Sequence, residues 1–363
     1  MIVVWRVTER CNLACPFCAC DRRLRRPRAS ADPAAVAAFG AVLAGYQRAT
    51  GDGVLVSWLG GEPLLWPPLR PLTERFRALG LRVSTTTNGT PLASAVVRAH
   101  VVDCYDELTV SVDAVGAAHE RLRGWPGGYE ALRRSVSALV EARRDRGRGP
   151  RLRANVVLMR GNLAGFEALC GELAEWGIDE ITFNQLGGIE RPEFFAANRL
   201  LPAQADWLRA SAPRLRAALA ERGVRLAGGD GYLRRIHATA RGERIPVAEC
   251  GPGRRLLFVD ERGMAAPCSF TVADYGVPLA ELDSSDALRT LPRRFADARR
   301  LRRAEACGDC HATHVFAKFD AAPRAVRQTV WPHTESTEST EWVSVRTGAG
   351  RDHEIAVDSV DSV

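Results

Sequence analysis

Through the first half of this chain, short runs rich in β-branched residues alternate with longer stretches of helical period. The short runs fall at 2–7, 54–59, 82–87, 107–112, 153–158 and 180–184, each of strand length and too brief for a helix. Between them, at 34–49, 69–79, 93–100, 129–144 and 163–176, Ala-, Leu- and Arg-rich sequence repeats its apolar positions every three to four residues. That is the pattern of helices with one buried face. Regular alternation of strand and helix predicts an α/β fold with a parallel sheet of βα units. Six units are too few to close an eight-stranded barrel, and in barrels of this kind the chemistry sits at the C-terminal strand ends.

After Asn184 the pattern changes. A helix is expected at 202–222, then a Gly-rich link, Gly228-Gly229-Asp230-Gly231, then a cysteine-bearing segment from Cys250 to Cys310. Residues 255–260 and 264–267, either side of Gly263, read as the arms of a hairpin. The stretch 334–363 carries Thr334-Glu335-Ser336-Thr337-Glu338-Ser339-Thr340 and few core-forming residues, as weakly structured tails do. The expected organisation is a core barrel at 1–200, a linker helix and connection at 201–249, a small cysteine-rich α+β module at 250–318, and a disordered tail at 319–363.

Composition narrows the function. With 363 residues and 46% hydrophobic content, the chain can bury a substantial core. No apolar run reaches the ~18–20 residues of a membrane span. The start, Met1-Ile2-Val3-Val4-Trp5-Arg6-Val7, lacks the basic, apolar and small-residue order of a signal peptide, so a cytoplasmic location is expected and a membrane partner is not. There, ten cysteines point to metal or redox chemistry rather than to disulfides. The net charge of +7 comes almost wholly from arginine, Lys318 being the one lysine. The arginines alternate with acids, as in Glu141-Ala142-Arg143-Arg144-Asp145, which fits solvated helix faces and not a nucleic-acid groove.

The most specific motif is Cys11-Asn12-Leu13-Ala14-Cys15-Pro16-Phe17-Cys18, directly after the first strand. Three thiolates on one loop can hold three corners of an iron–sulfur cube and leave the fourth open; zinc more often takes paired arms that complete four ligands. Gly60-Gly61-Glu62-Pro63 follows the second strand, Thr87-Asn88-Gly89-Thr90 the third, and Ser111-Val112-Asp113 the fourth. Taken singly, each is an ordinary turn or cap. Together and in this order they resemble the radical S-adenosylmethionine (radical SAM) family.

The resemblance covers roughly residues 1–318. It implies an open (β/α)6 partial barrel with a [4Fe–4S] cluster on Cys11, Cys15 and Cys18, whose open iron is chelated by S-adenosylmethionine. It further implies cofactor contacts from Phe17, Gly60, Gly61, Glu62, Asn88, Ser111, Asp113 and Arg123, the last placed in the loop before the fourth helix. Asn155 and Asn184 could face the cavity. Cys20, two residues past the motif, is read as a bystander, because a fourth ligand would close the open corner.

Cys250, Cys268, Cys307 and Cys310 form a second set, resembling the C-terminal SPASM or "twitch" module that binds an auxiliary cluster. Here the sequence continues His311-Ala312-Thr313-His314-Val315-Phe316 with no further cysteine, so four thiols remain, enough for one second [4Fe–4S] cube. A zinc ribbon is the alternative.

The function implied is reductive cleavage of S-adenosylmethionine to a 5′-deoxyadenosyl radical that takes hydrogen from a substrate C–H bond. The substrate is expected to be a ribosomally made peptide, with two-electron oxidation of a sugar or aminocyclitol as the alternative. The first strand begins at residue 2, so no leader-peptide-binding domain is expected before the barrel, which weakens the peptide expectation without excluding it, since such a unit can be a separate protein; a flavodoxin- or ferredoxin-type reductant is the other expected partner. A GTP-cyclising relative would typically use three cysteines in its second site rather than four. A non-catalytic, metal-stabilised binding protein is disfavoured by the intact cysteine and Gly-Gly-Glu motifs. Glu190, Asp230 and Tyr232 are named for proton transfer to or from substrate without a motif to support them.

Overall fold

The computed structural model describes residues 1–187, 191–316 and 318. Glu190 and the expected tail at 319–363 lie outside the described residues. The chain begins β1 (Ile2–Thr8), α1 (Pro33–Thr50), β2 (Leu55–Gly60), α2 (Leu69–Ala78), β3 (Arg82–Thr87), α3 (Ala95–Cys104) and β4 (Glu107–Ser111). It continues with α4 (Gly116–Arg123), α5 (Gly128–Asp145), β5 (Arg151–Leu158), α6 (Phe166–Glu175), β6 (Glu180–Gln185), α7 (Pro192–Asn198), α8 (Pro202–Glu221), β7 (Arg225–Leu226) and α9 (Asp230–Arg241). The last described elements are β8 (Leu256–Val259), β9 (Met264–Ala266), α10 (Val272–Tyr275), β10 (Val277–Pro278) and α11 (Ser285–Leu301).

Among the described residues these strands form one open sheet, ordered β10-β9-β8-β1-β2-β3-β4-β5-β6-β7. From β1 to β7 every pairing is parallel. Because the order never reverses, right-handed crossovers put all the connecting helices on one face. The residues obey that division. Val3, Trp5 and Val7 of β1, Val56 and Trp58 of β2, and Leu152, Ala154, Val156 and Leu158 of β5 are buried in the core. Trp5 packs on Phe39 and Trp58, and Trp58 on Phe76, with ring centroids 5.0–5.8 Å apart. Many of the alternate positions, which must point to the other face, are polar, among them Arg6, Ser57, Thr109, Ser111, Arg153, Asn155 and Asn184, while Ile2, Val4, Leu55, Leu59 and Val157 are apolar. The second face is therefore mixed, with polar groups available to hold a polar ligand against it.

Local chemistry explains the helix ends. Asp32 caps α1 by accepting from the N–H groups of Ala34 and Ala35, and Gly51 ends it in the left-handed region. Two sequence expectations need correction. Arg123 is not in a loop but is the last residue of α4, a helix of eight residues too short to show a clear period. The Gly-rich link leads straight into α9, a helix of 12 residues. The hairpin is present as β8 and β9, paired antiparallel. In addition β8 runs parallel to β1, Ile2 opposite Leu256, so the cysteine-bearing segment extends the main sheet. No described helix is long and apolar enough to cross a membrane.

Candidate functional site

The loops after β1, β2, β3 and β4 meet at one end of the sheet. The cysteine loop is closed at its base by Glu9, whose carboxylate accepts from Ala29 N–H at 3.0 Å and Arg26 at 2.7 Å. Arg28 donates to the carbonyl oxygens of Glu9 and Cys20. Arg26 and Arg28 therefore brace the cysteine loop.

Gly60 and Gly61 are needed for a close approach, though of backbone to backbone. A Cβ on Gly61 would sit 2.2 Å from the Arg10 carbonyl oxygen, and one on Gly60 2.6 Å from that of Thr8. The same contact carries hydrogen bonds from Gly61 N–H to Thr8 and from Glu62 N–H to Arg10, at 2.7 and 2.8 Å. Glycines thus let the end of β2 press against the loop bearing Cys11.

Glu62 is wholly buried. Its carboxylate accepts from the Thr87 hydroxyl at 2.8 Å, Asn88 N–H at 2.6 Å and Leu64 N–H at 3.1 Å. A carboxylate has about four acceptor sites, so these leave one. Burial pushes its pKa up to about 7 against the pull of the three donors. The Asn88 side-chain amide donates to Asn12 at 2.9 Å and to Cys11 Sγ at 3.6 Å.

Arg123 is the hub on the other side. Its Nε donates to Asp113 at 2.6 Å, its Nη1 lies 4.0 Å from Cys15 Sγ, and its guanidinium sits 5.3 Å over the Phe17 ring. Burial opposes its charge, while Asp113 and the Cys15 thiol hold it protonated. The second oxygen of Asp113 accepts from Val157 N–H at 2.8 Å. Ser111 pairs with Asn155 across β4 and β5. The structure therefore brings Phe17, Gly60, Gly61, Glu62, Asn88, Asp113 and Arg123 together around the three cysteines, with Glu62 and Asp113 engaged by protein donors.

Among the described residues, no three Cys, His, Asp or Glu side chains converge as they would around a single metal ion. The fit of the first loop to a metal group rests instead on its donors. Leu13 N–H points at Cys11 Sγ (3.5 Å) and Cys20 N–H at Cys18 Sγ (3.4 Å); such bonds stabilise thiolates and tune clusters. Without metal, burial pushes Cys15 up to about 12 and raises Cys11 as well, so ligation there would release protons.

Cys250, Cys268, Cys307 and Cys310 all line one small pocket, shared with Phe270, Tyr275, Arg299 and His314. Burial raises the Cys250 and Cys268 thiols and takes Cys310 up to about 11. Arg299 faces them with its charge sustained by Cys250 and Cys307 against burial. Its buried Nε has no hydrogen-bond partner among the described residues. Four thiols and an unsatisfied cationic donor suit an anionic group. One arginine in so many carried no signal of this in the sequence.

The three residues named for proton transfer fare differently. Glu190 is undescribed, and Asp230 is exposed at the start of α9. The Tyr232 phenol is buried under the Gln185 N–H, and burial raises its pKa further from use.

Comparison with known proteins identifies the family. The Radical SAM superfamily profile matches residues 5–163. The PqqA peptide cyclase of Gluconobacter oxydans is 31% identical over 274 residues, 74% of this chain and 70% of that protein. The chain belongs to the radical SAM superfamily. The pre-heme d1 synthase of Dinoroseobacter shibae is 28% identical over 191 residues, 51% of this chain. The chain spans under half the length of that relative, 43%. Among solved structures, SuiB of Streptococcus suis bound to S-adenosylmethionine superposes with a TM-score of 0.60 at 17% identity, covering 85% of this chain and 72% of that one. That likeness is one of fold, and it places this sheet in the radical SAM α/β architecture.

Proposed function

We propose that this protein is a radical SAM enzyme acting on a ribosomally made peptide. Cys11, Cys15 and Cys18 would hold a [4Fe–4S] cluster with one corner left for S-adenosylmethionine. When bound, that pair supplies a 5′-deoxyadenosyl radical able to take hydrogen from an unactivated C–H bond. Cys20 stays outside the ligand set. Arg123 places a fixed positive charge beside Cys15 and orients Phe17, whose ring would pack on the adenine. Gly60, Gly61, Glu62 and Asn88 hold the second and third loops against the cysteine loop, and Ser111 stands at the end of β4 toward the ribose. The four-cysteine cavity would hold an auxiliary [4Fe–4S] cluster, its charge balanced by Arg299.

The observation that carries the reading is the convergence of three thiols, their N–H donors and Arg123 at the C-terminal strand ends. The peptide class is supported by a relative 31% identical over 74% of this chain, a PqqA peptide cyclase. The test is deuterium transfer. Reduced, reconstituted protein with S-adenosylmethionine is incubated with perdeuterated peptide or perdeuterated small-metabolite fractions of host cells. Deuterium is expected in 5′-deoxyadenosine from the peptide fraction alone. Its appearance only from the metabolite fraction would replace the peptide with a sugar, aminocyclitol or tetrapyrrole substrate.

A further inference from the structure

We infer that Lys318 is a proton-transfer residue facing the substrate: its Nζ takes a proton from a bound substrate O–H or N–H adjacent to the carbon that loses hydrogen. The N–H bond forms at Nζ as the substrate bond breaks heterolytically. The electron pair stays on the substrate, and no electron passes through the amine. The inference rests on the proposed function for the identity of the reacting carbon.

Three observations carry it. Of the 50 lysine and arginine residues, Lys318 alone is a lysine. A guanidinium keeps its proton under all ordinary conditions, whereas an amine can shed it. This chain therefore places an amine, rather than a guanidinium, at a single position. That position is 2% exposed. Its Nζ lies 2.6 Å from Asn184 Oδ1 and 3.5 Å from Asn155 Oδ1, on the second face of the sheet at the C-terminal ends of β5 and β6, the end that also carries the cysteine loop.

Among the described residues, burial disfavours the amine's charge, against the Asn155 and Asn184 oxygens that accept from it and the Tyr232 ring of α9 5.8 Å away, which favour it. Arg153 of β5 opposes protonation and Glu180 of β6 favours it. Glu180, however, is itself spent on Arg151, Arg153 and Arg225. Burial, the largest influence, lowers the pKa to about 7. About half the molecules then carry a neutral amine at neutral pH, roughly a thousandfold more than for an ordinary lysine.

One lysine gives one signal. In holoprotein labelled with ¹³Cε-lysine, the single resonance should titrate with a midpoint near 7. Asn184→Asp should raise the midpoint by about one to three pH units, because it puts a carboxylate beside the amine. Formaldehyde with cyanoborohydride at pH 7, reagents small enough to enter from the substrate side, should methylate Lys318, read by mass spectrometry of its peptide. A midpoint near 10, or one unmoved by Asn184→Asp, overturns the inference. So does a midpoint near 7 with no methylation, which would mark a sealed structural amine. None of these readouts requires cofactor cleavage, so their failure is distinct from failure of the radical reading.

Discussion

Replacing Arg123 with leucine is expected to cost about 3–5 kcal/mol of stability, the usual penalty for stranding one member of a buried ion pair. Asp113 is 1% exposed, and Arg123 Nε at 2.6 Å is its charged partner. Val157 N–H satisfies only the other carboxylate oxygen. Melting of the purified protein should fall by on the order of 5–10 °C. Arg123→Leu combined with Asp113→Leu should recover much of the loss, since replacing both charges leaves none uncompensated. An unchanged melting temperature in the single variant would mean that the pair is not buried as described, and that Phe17 and Cys15 lack their common neighbour.

The second large effect is in metal content. If Cys250, Cys268, Cys307 and Cys310 hold a cube, protein reconstituted without air should approach about eight irons per chain, two cubes of four. Replacing those four cysteines with alanine should bring this to about four. A zinc ribbon would instead give about four irons and one zinc in the parent protein, with iron unchanged on substitution. Metal analysis of both proteins separates the two. The orphaned Nε of Arg299 suits either group, because a four-thiolate cube and a four-thiolate zinc site both carry net negative charge that a guanidinium in the same cavity would offset.

Much of this was legible in the sequence because it is local. Alternating residues on β1 and β5 follow the two-residue period of a strand, and the cysteine loop and Gly-Gly-Glu turn are contiguous. What could not be read depends on distant residues meeting. The parallel pairing of β8 with β1 joins positions about 250 residues apart in sequence. The helix ending in Arg123 is eight residues long, and α11 carries Pro292 within it, which disguises its period. The family resemblance implies cofactor contacts at Gly60 and Gly61, and only the fold shows the Thr8–Cys11 backbone pressed against them. The roles of Glu62 and Asp113 as anchors between loops likewise depend on partners 25 to 44 residues away.

On the proposed function, the three thiols of the first loop support reductive cleavage of S-adenosylmethionine. The direct measurement compares parent protein with Cys11→Ala, Cys15→Ala and Cys18→Ala combined, both reconstituted without air and supplied with reductant, by quantifying 5′-deoxyadenosine and methionine. Cleavage is expected from the parent protein and none above background from the variant, which should still keep the iron of the second site. Undiminished 5′-deoxyadenosine in the triple variant, or none from fully reconstituted parent protein, would contradict the proposed function.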